Sequence, residues 1–560
     1  MALRILILGG YGVFGGRLAE LLKDLPNIEI YICGRNLARA TIFCNNYAGP
    51  AKVTPLCVER TELSDTLLKF RPDVVVDASG PFQLYSQSNA GDPYTVIKSC
   101  LKARVNYMDL ADGADFVLAV PKFNMQAKEA GIFILSGVSS YPVLTSAVIK
   151  DIAKNMEVHS VEGGIAPSPF AGIGLNVMRA VISYAGGPVK LQRNGKQEIA
   201  YGLTESMRFK IAPPGKLPLN NIHFSLVDVP DLQIIPKQIK TVQTIWMGAG
   251  PVPETLHKAL NVLAKIRKKF KLNAFTRFAP LFYRVLNLMK FGDHRGGMFV
   301  KATGTSDGKE VERTWHMIAE GDDGPYIPSM AVEGIIRKML AGKAPKIGAR
   351  IATKELTLKD YDTLFEGKSI YYGFRDLQEH SVPLYRHVLN TAYDRLPKVV
   401  QDLHGPNETR TWSGTAQILR GKNPLANFVA ILIRFPKTAN ATPVTVTLTP
   451  KVDGSELWER NFGGKKFSSI QRLGKGRQEH LLMEKFGPVE VAIALIIEDD
   501  KLYLETKNWT FLGIPMPKFL MPGGETFETE ENGYFVFNVE IKAPILGLIV
   551  AYKGRLKQDL

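Results

Sequence analysis

The sequence predicts an α/β protein in three parts: an N-terminal Rossmann-like parallel sheet, a mixed α/β second domain, and a β-rich C-terminal domain whose pattern also suits a barrel. Three observations predict it. A glycine-rich turn, Gly9-Gly10-Tyr11-Gly12-Val13-Phe14-Gly15-Gly16, stands between a strand and a helix at the start of the chain. Asp73-Val74-Val75-Val76-Asp77 has the continuous apolar run of a parallel strand buried on both faces. From about residue 380 the helical pattern gives way to short alternating runs broken by Gly and Asp, as an antiparallel sheet requires. The expected boundaries are 1–150 for the first domain, 151–350 for the second, 351–380 for a linker and 381–560 for the last.

The first forty residues organise the chain. Leu3 to Leu8 reads as a strand, Arg17 to Leu25 as a helix, and Glu29 to Cys33 as a second strand ending in Gly34-Arg35-Asn36. Glycines in Gly10-x-Gly12-x-x-Gly15 spacing between such elements form a dinucleotide turn. Gly10 is expected to permit the tight turn, Gly12 to let the backbone approach a pyrophosphate, and Gly15 to bring helix and sheet together, with Gly9, Val13 and Phe14 completing the cradle. Unpaired N–H groups at the helix start face the phosphates. At the end of the second strand an NAD site usually carries Asp or Glu, whereas this chain has Arg35 followed by Asn36. A cation there suits a 2′-phosphate, so NADP is favoured over NAD. No Gly-Lys-Ser/Thr follows the glycines, which argues against a P-loop.

The run ending in Asp77-Ala78-Ser79-Gly80-Pro81-Phe82 places Ala78, Ser79 and Gly80 beside the nicotinamide half, because ligands of parallel sheets gather beyond the strands' C-terminal ends. An ordinary strand-ending turn is the alternative. Tyr107, Asp109 and Asp112 follow the next strand, and Ser139 and Tyr141 the one after. Tyr107, Asp109, Ser139 and Tyr141 are the catalytic or substrate-contact candidates, each with a structural cap or contact as its alternative. His159, His223 and His316 read as structural.

These stretches, with Tyr107-Met108-Asp109-Leu110 and Ser136-Gly137-Val138-Ser139-Ser140, resemble the saccharopine dehydrogenase-like NADP-binding family. The resemblance is strong through about residue 150 and weaker to about 350. It implies a Rossmann domain with an α/β domain covering the cofactor cleft, and it leaves the substrate open. The β-rich remainder resembles an uncharacterised C-terminal domain often attached to such proteins. Nine runs there read as strands, among them Phe428 to Phe435. The apolar loop Leu512 to Pro522 reads first as core, and otherwise as a cavity lining or partner surface.

Composition bounds the partners. The formal charge of +16 suits anionic partners without choosing among them. In 262–291, basic residues such as Lys265, Lys268 and Lys269 alternate with aromatic and aliphatic ones, no acid intervenes, and Phe278, Phe282, Val285 and Met289 share a helical face. That stretch suits an anionic membrane surface or packing on its own protein, with Pro280 dividing it into two helices. Nucleic acid fits less well, since no recognition motif accompanies it. The four cysteines form no CxxC pair or Cys/His cluster, so no case for a metal arises and a reduced, intracellular compartment is expected. No signal peptide precedes the first strand and no twenty-residue apolar span is found. A cytoplasmic protein is expected, with peripheral membrane association open, as is a homo-oligomer.

The sequence thus leads to an NADP-dependent oxidoreductase acting on a small or lipid-like metabolite. The alternative is a membrane-associated NADP-binding or scaffold protein without turnover.

Overall fold

The computed structural model describes residues 2–559 apart from 86–90, 173, 252, 289–291, 293 and 378–381. The chain divides into two compact units. The first comprises 1–209 and 222–371, and the second 210–221 and 372–560.

Short apolar strands joined by helical crossovers build the first sheet. β1 (Leu3–Leu8), β2 (Ile28–Gly34), β3 (Lys52–Cys57), β4 (Val74–Asp77), β5 (Asn106–Asp109) and β6 (Phe133–Ser136) lie in the order β6-β5-β4-β1-β2-β3. All neighbours are parallel, and the order reverses between β1 and β4, where Ile5 pairs with Val74. That reversal leaves a crevice at the strands' C-terminal ends, which is where the glycine turn stands. A seventh strand, Gly348–Ile351, returns to pair in parallel with β6. The expected linker 351–380 therefore begins inside a sheet strand, and it continues through a helix at Leu358–Phe365 and a strand at Ile370–Asp376. A Thr357 capping box starts that helix, as the Thr-x-x-Asp spacing allows.

The second sheet is mixed. Its central strand Glu157–Ala166 pairs in parallel with Thr244–Ala249 and antiparallel with Gly296–Ser306. Gly296–Ser306 and Lys309–Ala319 form the expected hairpin, turning at Asp307 and Gly308, both at positive φ. His316 is buried in that hairpin, as the alternation suggested.

The described part of the 262–291 stretch packs one side on its own unit and leaves Val262, Phe270, Leu281 and Leu288 exposed. The helix Glu254–Phe270 ends at Lys271 (φ 53°), and a second runs over Ala279–Leu288. The division thus falls at Lys271, with Pro280 in the first turn of the second helix, where its missing N–H is harmless. Phe275, Phe282, Tyr283 and Leu286 pack around Met178 and Ile182, while Phe278 is exposed. Arg267 donates to the carbonyls of Ser183 and Ala185 at 2.9 and 2.6 Å. Met289 and Lys290 lie outside the described residues. Among those described, no helix is long and apolar enough to cross a membrane.

The second unit contains an antiparallel barrel. From Arg410–Arg420 onward each strand of the ring pairs with the next ring strand, and the last, Gly547–Gln558, pairs back with the first. Ten of the eleven strands make this ring; the two-residue Ile514–Pro515 is an appendage. Alternation sends Trp412, Trp458, Phe462, Phe535 and Tyr552 into the core. Polar groups are buried with them: Arg410 pairs with Glu456 at 2.8 Å, Arg460 with Glu484 at 3.2 Å, and His404 Nε2 with Glu528 at 2.6 Å. Two strands of the ring escaped the sequence pattern, Lys465–Leu473 and Thr526–Glu531, as did the appended Ile514–Pro515. Phe428 to Phe435, expected as a strand, instead belongs mostly to a helix, Pro424–Leu432. Asn423 caps it by accepting the Leu425 N–H, and Pro424 stands at its first position, a start signal stronger than the apolar run that obscured it.

Candidate cofactor cleft

The turn after β1 is built where side chains would not fit. Gly9 has φ +72°, and a Cβ there would stand 2.9 Å from the Ala78 carbonyl oxygen. The left-handed position is therefore Gly9, one residue before the glycine expected to make the turn. Gly10 donates to the Cys33 carbonyl at 3.0 Å, tying the turn to β2. A Cβ on Gly12 would meet the Gly9 oxygen at 2.9 Å, and one on Gly15 would meet it at 2.3 Å. Gly12 caps the helix Val13–Leu21 with no side-chain hydrogen bond. The helical ladder leaves the N–H groups of Val13, Phe14 and Gly15 without intrahelical acceptors, a ready site for a diphosphate.

At the end of β2, Arg35 and Asn36 are exposed. Asn36 Oδ1 accepts the Arg39 N–H at 3.0 Å, and the Asn36 N–H donates to the Tyr11 hydroxyl at 3.1 Å. Tyr11 lies so close to Gly34 that a Cβ there would come within 2.4 Å of its ring. The Arg39 guanidinium stands 5.8 Å from the same ring. Arg39 thus joins Arg35 as a second exposed cation at this corner. Its spacing, one helical turn past Arg35, was the available signal.

At the end of β4 the Asp77 carboxylate is fully buried. It accepts from Arg60 Nη1 at 2.6 Å and from the Ser79 N–H at 3.0 Å and hydroxyl at 2.5 Å. Arg60 also lies 4.2 Å from the Tyr85 ring centroid, and Tyr85 donates to the Ser79 carbonyl at 3.0 Å. The Ser79 side chain is therefore engaged in holding its own turn. Ala78 donates its N–H to Leu8, and the Gly80 carbonyl accepts from Asn176 Nδ2 at 2.7 Å.

Asn176 belongs to a segment of the second sheet's layer that reaches over the crevice. Arg17 Nη2 donates to Ala171 at 2.5 Å, and a Cβ on Gly174 would meet the Val13 side chain at 3.1 Å. Ala171, Gly174 and Asn176 thus touch the helix after the glycine turn and the Gly80 turn.

The four catalytic candidates separate. Tyr107 is fully buried, its hydroxyl has no partner among the described residues, and burial raises it well above its usual range. Asp109 is also buried: Oδ1 accepts from the Ser136 hydroxyl and from the N–H groups of Gly137 and Ala111. Burial pushes its carboxyl up to about 7 in spite of those donors. The Tyr141 hydroxyl donates to the Gly248 carbonyl at 3.3 Å inside the core. Of the four, only Ser139 keeps partial exposure.

A different set of polar groups gathers around Asp112. Asp112, just past β5, is exposed on one side and accepts from Gln83 Nε2 at 2.9 Å; crowding by protein on the other side raises its carboxyl. Half-buried Asp228 is pushed up to about 6 by burial and then by the charges of Asp115 and Asp112. Tyr184, at the end of the helix Leu175–Tyr184, is raised by burial and then by Asp112 and Asp228. These groups come from three separate elements, so sequence order gave no sign of Asp228 or Tyr184.

Residues 5–135 match the model of the saccharopine dehydrogenase NADP binding domain, and 396–556 match a domain of unknown function, DUF4166. No curated protein matches the chain. Similar solved structures include the WlbA (WbpB) dehydrogenase of Thermus thermophilus, solved with NAD and alpha-ketoglutarate, at 11% identity over 62% of this chain and 90% of that one (TM-score 0.28). A probable dehydrogenase of Thermotoga maritima has 10% identity over 62% and 91% (TM-score 0.32). KijD10, a 3-ketoreductase of Actinomadura kijaniata solved with NADP, has 11% identity over the same shares (TM-score 0.29).

Proposed function

Because the chain joins a saccharopine-dehydrogenase-like NADP-binding domain to an uncharacterised C-terminal domain, we propose that it is an NADP-dependent oxidoreductase of a small or lipid-like metabolite. The observation that carries this reading is the glycine turn at the β1/β4 reversal, where Gly9, Gly12 and Gly15 leave space that any Cβ would fill. The residues fit a dinucleotide. The start of the helix Val13–Leu21 would hold the diphosphate, Arg35 and Arg39 the ribose phosphate, and the Ala78–Gly80 backbone the nicotinamide end. Bound there, NADP supplies the hydride acceptor or donor.

The protein's own part is positioning and proton handling. Arg60, Asp77 and Tyr85 fix the Gly80 turn, and Asn176 holds the Gly80 carbonyl. Oxidation of an alcohol or amine requires a proton acceptor, and reduction of the product requires a donor. We infer this role for Asp228, whose carboxyl burial pushes up to about 6, with Asp112 and Tyr184 as its neighbours. Of the earlier candidates, Ser139 is proposed as a substrate contact and Tyr107, Asp109 and Tyr141 as supports beneath the crevice.

The test is absorbance at the reduced-nicotinamide band with purified protein, NADP and a metabolite extract. Wild type should turn over, and Asp228→Asn should lose about 10²–10⁴-fold in rate while binding NADP normally. NADP binding with no turnover by wild type would favour the alternative, an NADP-binding membrane-associated scaffold. That second reading draws on exposed Phe270 and Leu281 beside the basic residues of 262–288.

A further inference from the structure

The helix Pro424–Leu432 is amphipathic in the inverted sense. Its small residues Ala426 and Ala430 are fully buried, whereas Leu425, Phe428, Ile431 and Leu432 are each more than 60% exposed. A surface helix ordinarily turns such side chains towards the core. Nothing about the helix is loose: Asn423 caps its start, Asn427 Nδ2 donates to the Gly421 carbonyl at 3.0 Å, and Arg420 donates to the Pro436 carbonyl at 2.8 Å. The outward apolar face is thus held in place by its surroundings.

Barrel topology gives this face its context. Consecutive antiparallel strands place alternate connections at the same end, so the helix shares an end with the loop between Phe511 and Thr526 and with the turn between Ala543 and Gly547. Those connections expose Leu512, Ile514 and Phe519 in the first and Ile545 in the second. In the connections between barrel strands at the opposite end, Val452 is the one exposed large apolar residue among those described. The loop expected to be core is therefore surface, on the same end as the helix.

The charge of this end is mainly positive, with Glu525 the acid of its long loop. From Thr409 to Val452 there is no acidic residue, and Lys422, Arg434 and Lys437 flank the helix. A cleft of about 540 Å³ opens beside it, lined by Ile433, Arg434, Arg460, Lys466 and Phe467, with Glu459 the acid among its walls. Exposed aliphatic and aromatic groups ringed by cations match the interface of an anionic bilayer, where apolar side chains enter the acyl boundary and basic ones meet headgroups.

We infer that this end of the barrel docks on an anionic phospholipid surface, with the helix Pro424–Leu432 and the loop carrying Phe519 inserted at the interface. The site is distinct from the 262–291 stretch and independent of the cofactor cleft. Sedimentation of the full chain with phosphatidylglycerol-containing vesicles tests it, with pure phosphatidylcholine vesicles as the reference. Wild type should sediment with the anionic vesicles. Phe428→Asp with Ile431→Asp should lower the bound fraction at least about tenfold, because charges replace the apolar side chains that enter the acyl boundary. Phe519→Asp, an independent change at the same end, should act in the same direction, and Val452→Asp at the other end should not. Lys422→Gln with Lys437→Gln should reduce the preference for anionic vesicles about tenfold or more. Circular dichroism and NADP affinity should be unchanged in all four.

Equal sedimentation of wild type and the aspartate variants would overturn the inference, as would failure of wild type to bind. So would loss of binding with Lys268→Gln and Lys269→Gln in place of the barrel changes. A lipid-free dimer dissolved by Phe428→Asp would assign the face to a second copy of the chain and would also overturn it.

Discussion

The glycine turn and the barrel interior are built on opposite principles. The turn works by absence: Gly9, Gly12 and Gly15 leave room beside their neighbours' backbone, and nearly all of its partners lie within the first eighty residues. The barrel works by meeting: His404 reaches Glu528 across 124 positions, and the first strand pairs with the last. A local site can be read from spacing, whereas a site assembled by long-range pairing must be seen folded.

The largest test of this contrast is in the barrel. Arg410 is buried, paired with Glu456 and donating to the carbonyls of Pro406 and Glu408 at 3.0 and 3.1 Å. Arg410→Ala strands the Glu456 charge and should cost about 3–5 kcal/mol, seen as a lower urea midpoint with NADP affinity unchanged. Loss of NADP binding in that variant would break the separation between the two regions. In the turn the balance should reverse. Gly15→Ala improves helix propensity, yet its Cβ collides with the Gly9 oxygen. Calorimetry should show NADP affinity falling at least about 100-fold, the order of one lost set of phosphate contacts, while helical circular dichroism is retained. A tolerated Gly15→Ala would mean that the cradle is not where the diphosphate binds.

Arg35→Ala sharpens the contrast within the turn itself. It should weaken NADP about tenfold more than NAD, because a charge-assisted bond to the 2′-phosphate is worth roughly 1.5–3 kcal/mol. Arg39→Ala should add to the effect; equal losses for both cofactors would reject the assignment.

The smallest effect concerns pH. Burial holds the Asp109 carboxyl near 7, above its value in the unfolded chain. Across the window from the unfolded value up to about 7, the folded state keeps a proton that the unfolded state has released. Stability therefore falls as pH rises through that window and levels off above it. Asp109→Asn should make this slope shallower, not flat, because Asp231 is also raised to about 7. An unchanged slope in urea titrations would show that Asp109 is not a source of it.

How much was legible follows from the same contrast. The strands of the first sheet, the glycine turn after β1 and the exposed position of Arg35 after β2 were readable, because each is local. The return of Gly348–Ile351 to β6 was not, since four residues with one Gly and one Arg carry no period and their partner lies two hundred positions earlier. The helix Pro424–Leu432 was misread because an all-apolar run has neither a 3.6 nor a 2.0 repeat, and its Asn-Pro start was the better signal. Tyr107, expected after a strand, is the second residue of β5, and Tyr141 does follow β6; the hydroxyls of both lie within the packed interior. Asp228 was invisible because its neighbours Asp112 and Asp115 are more than a hundred positions away.

The most direct measurement is calorimetric binding of NADPH and NADH to the full chain after any bound nucleotide is removed. Binding of NADPH at least about tenfold tighter than NADH, with the difference abolished by Arg35→Ala, is the predicted result. Equal affinity for the two, or no binding by correctly folded protein, would contradict a phosphate-selective dinucleotide site at the glycine turn.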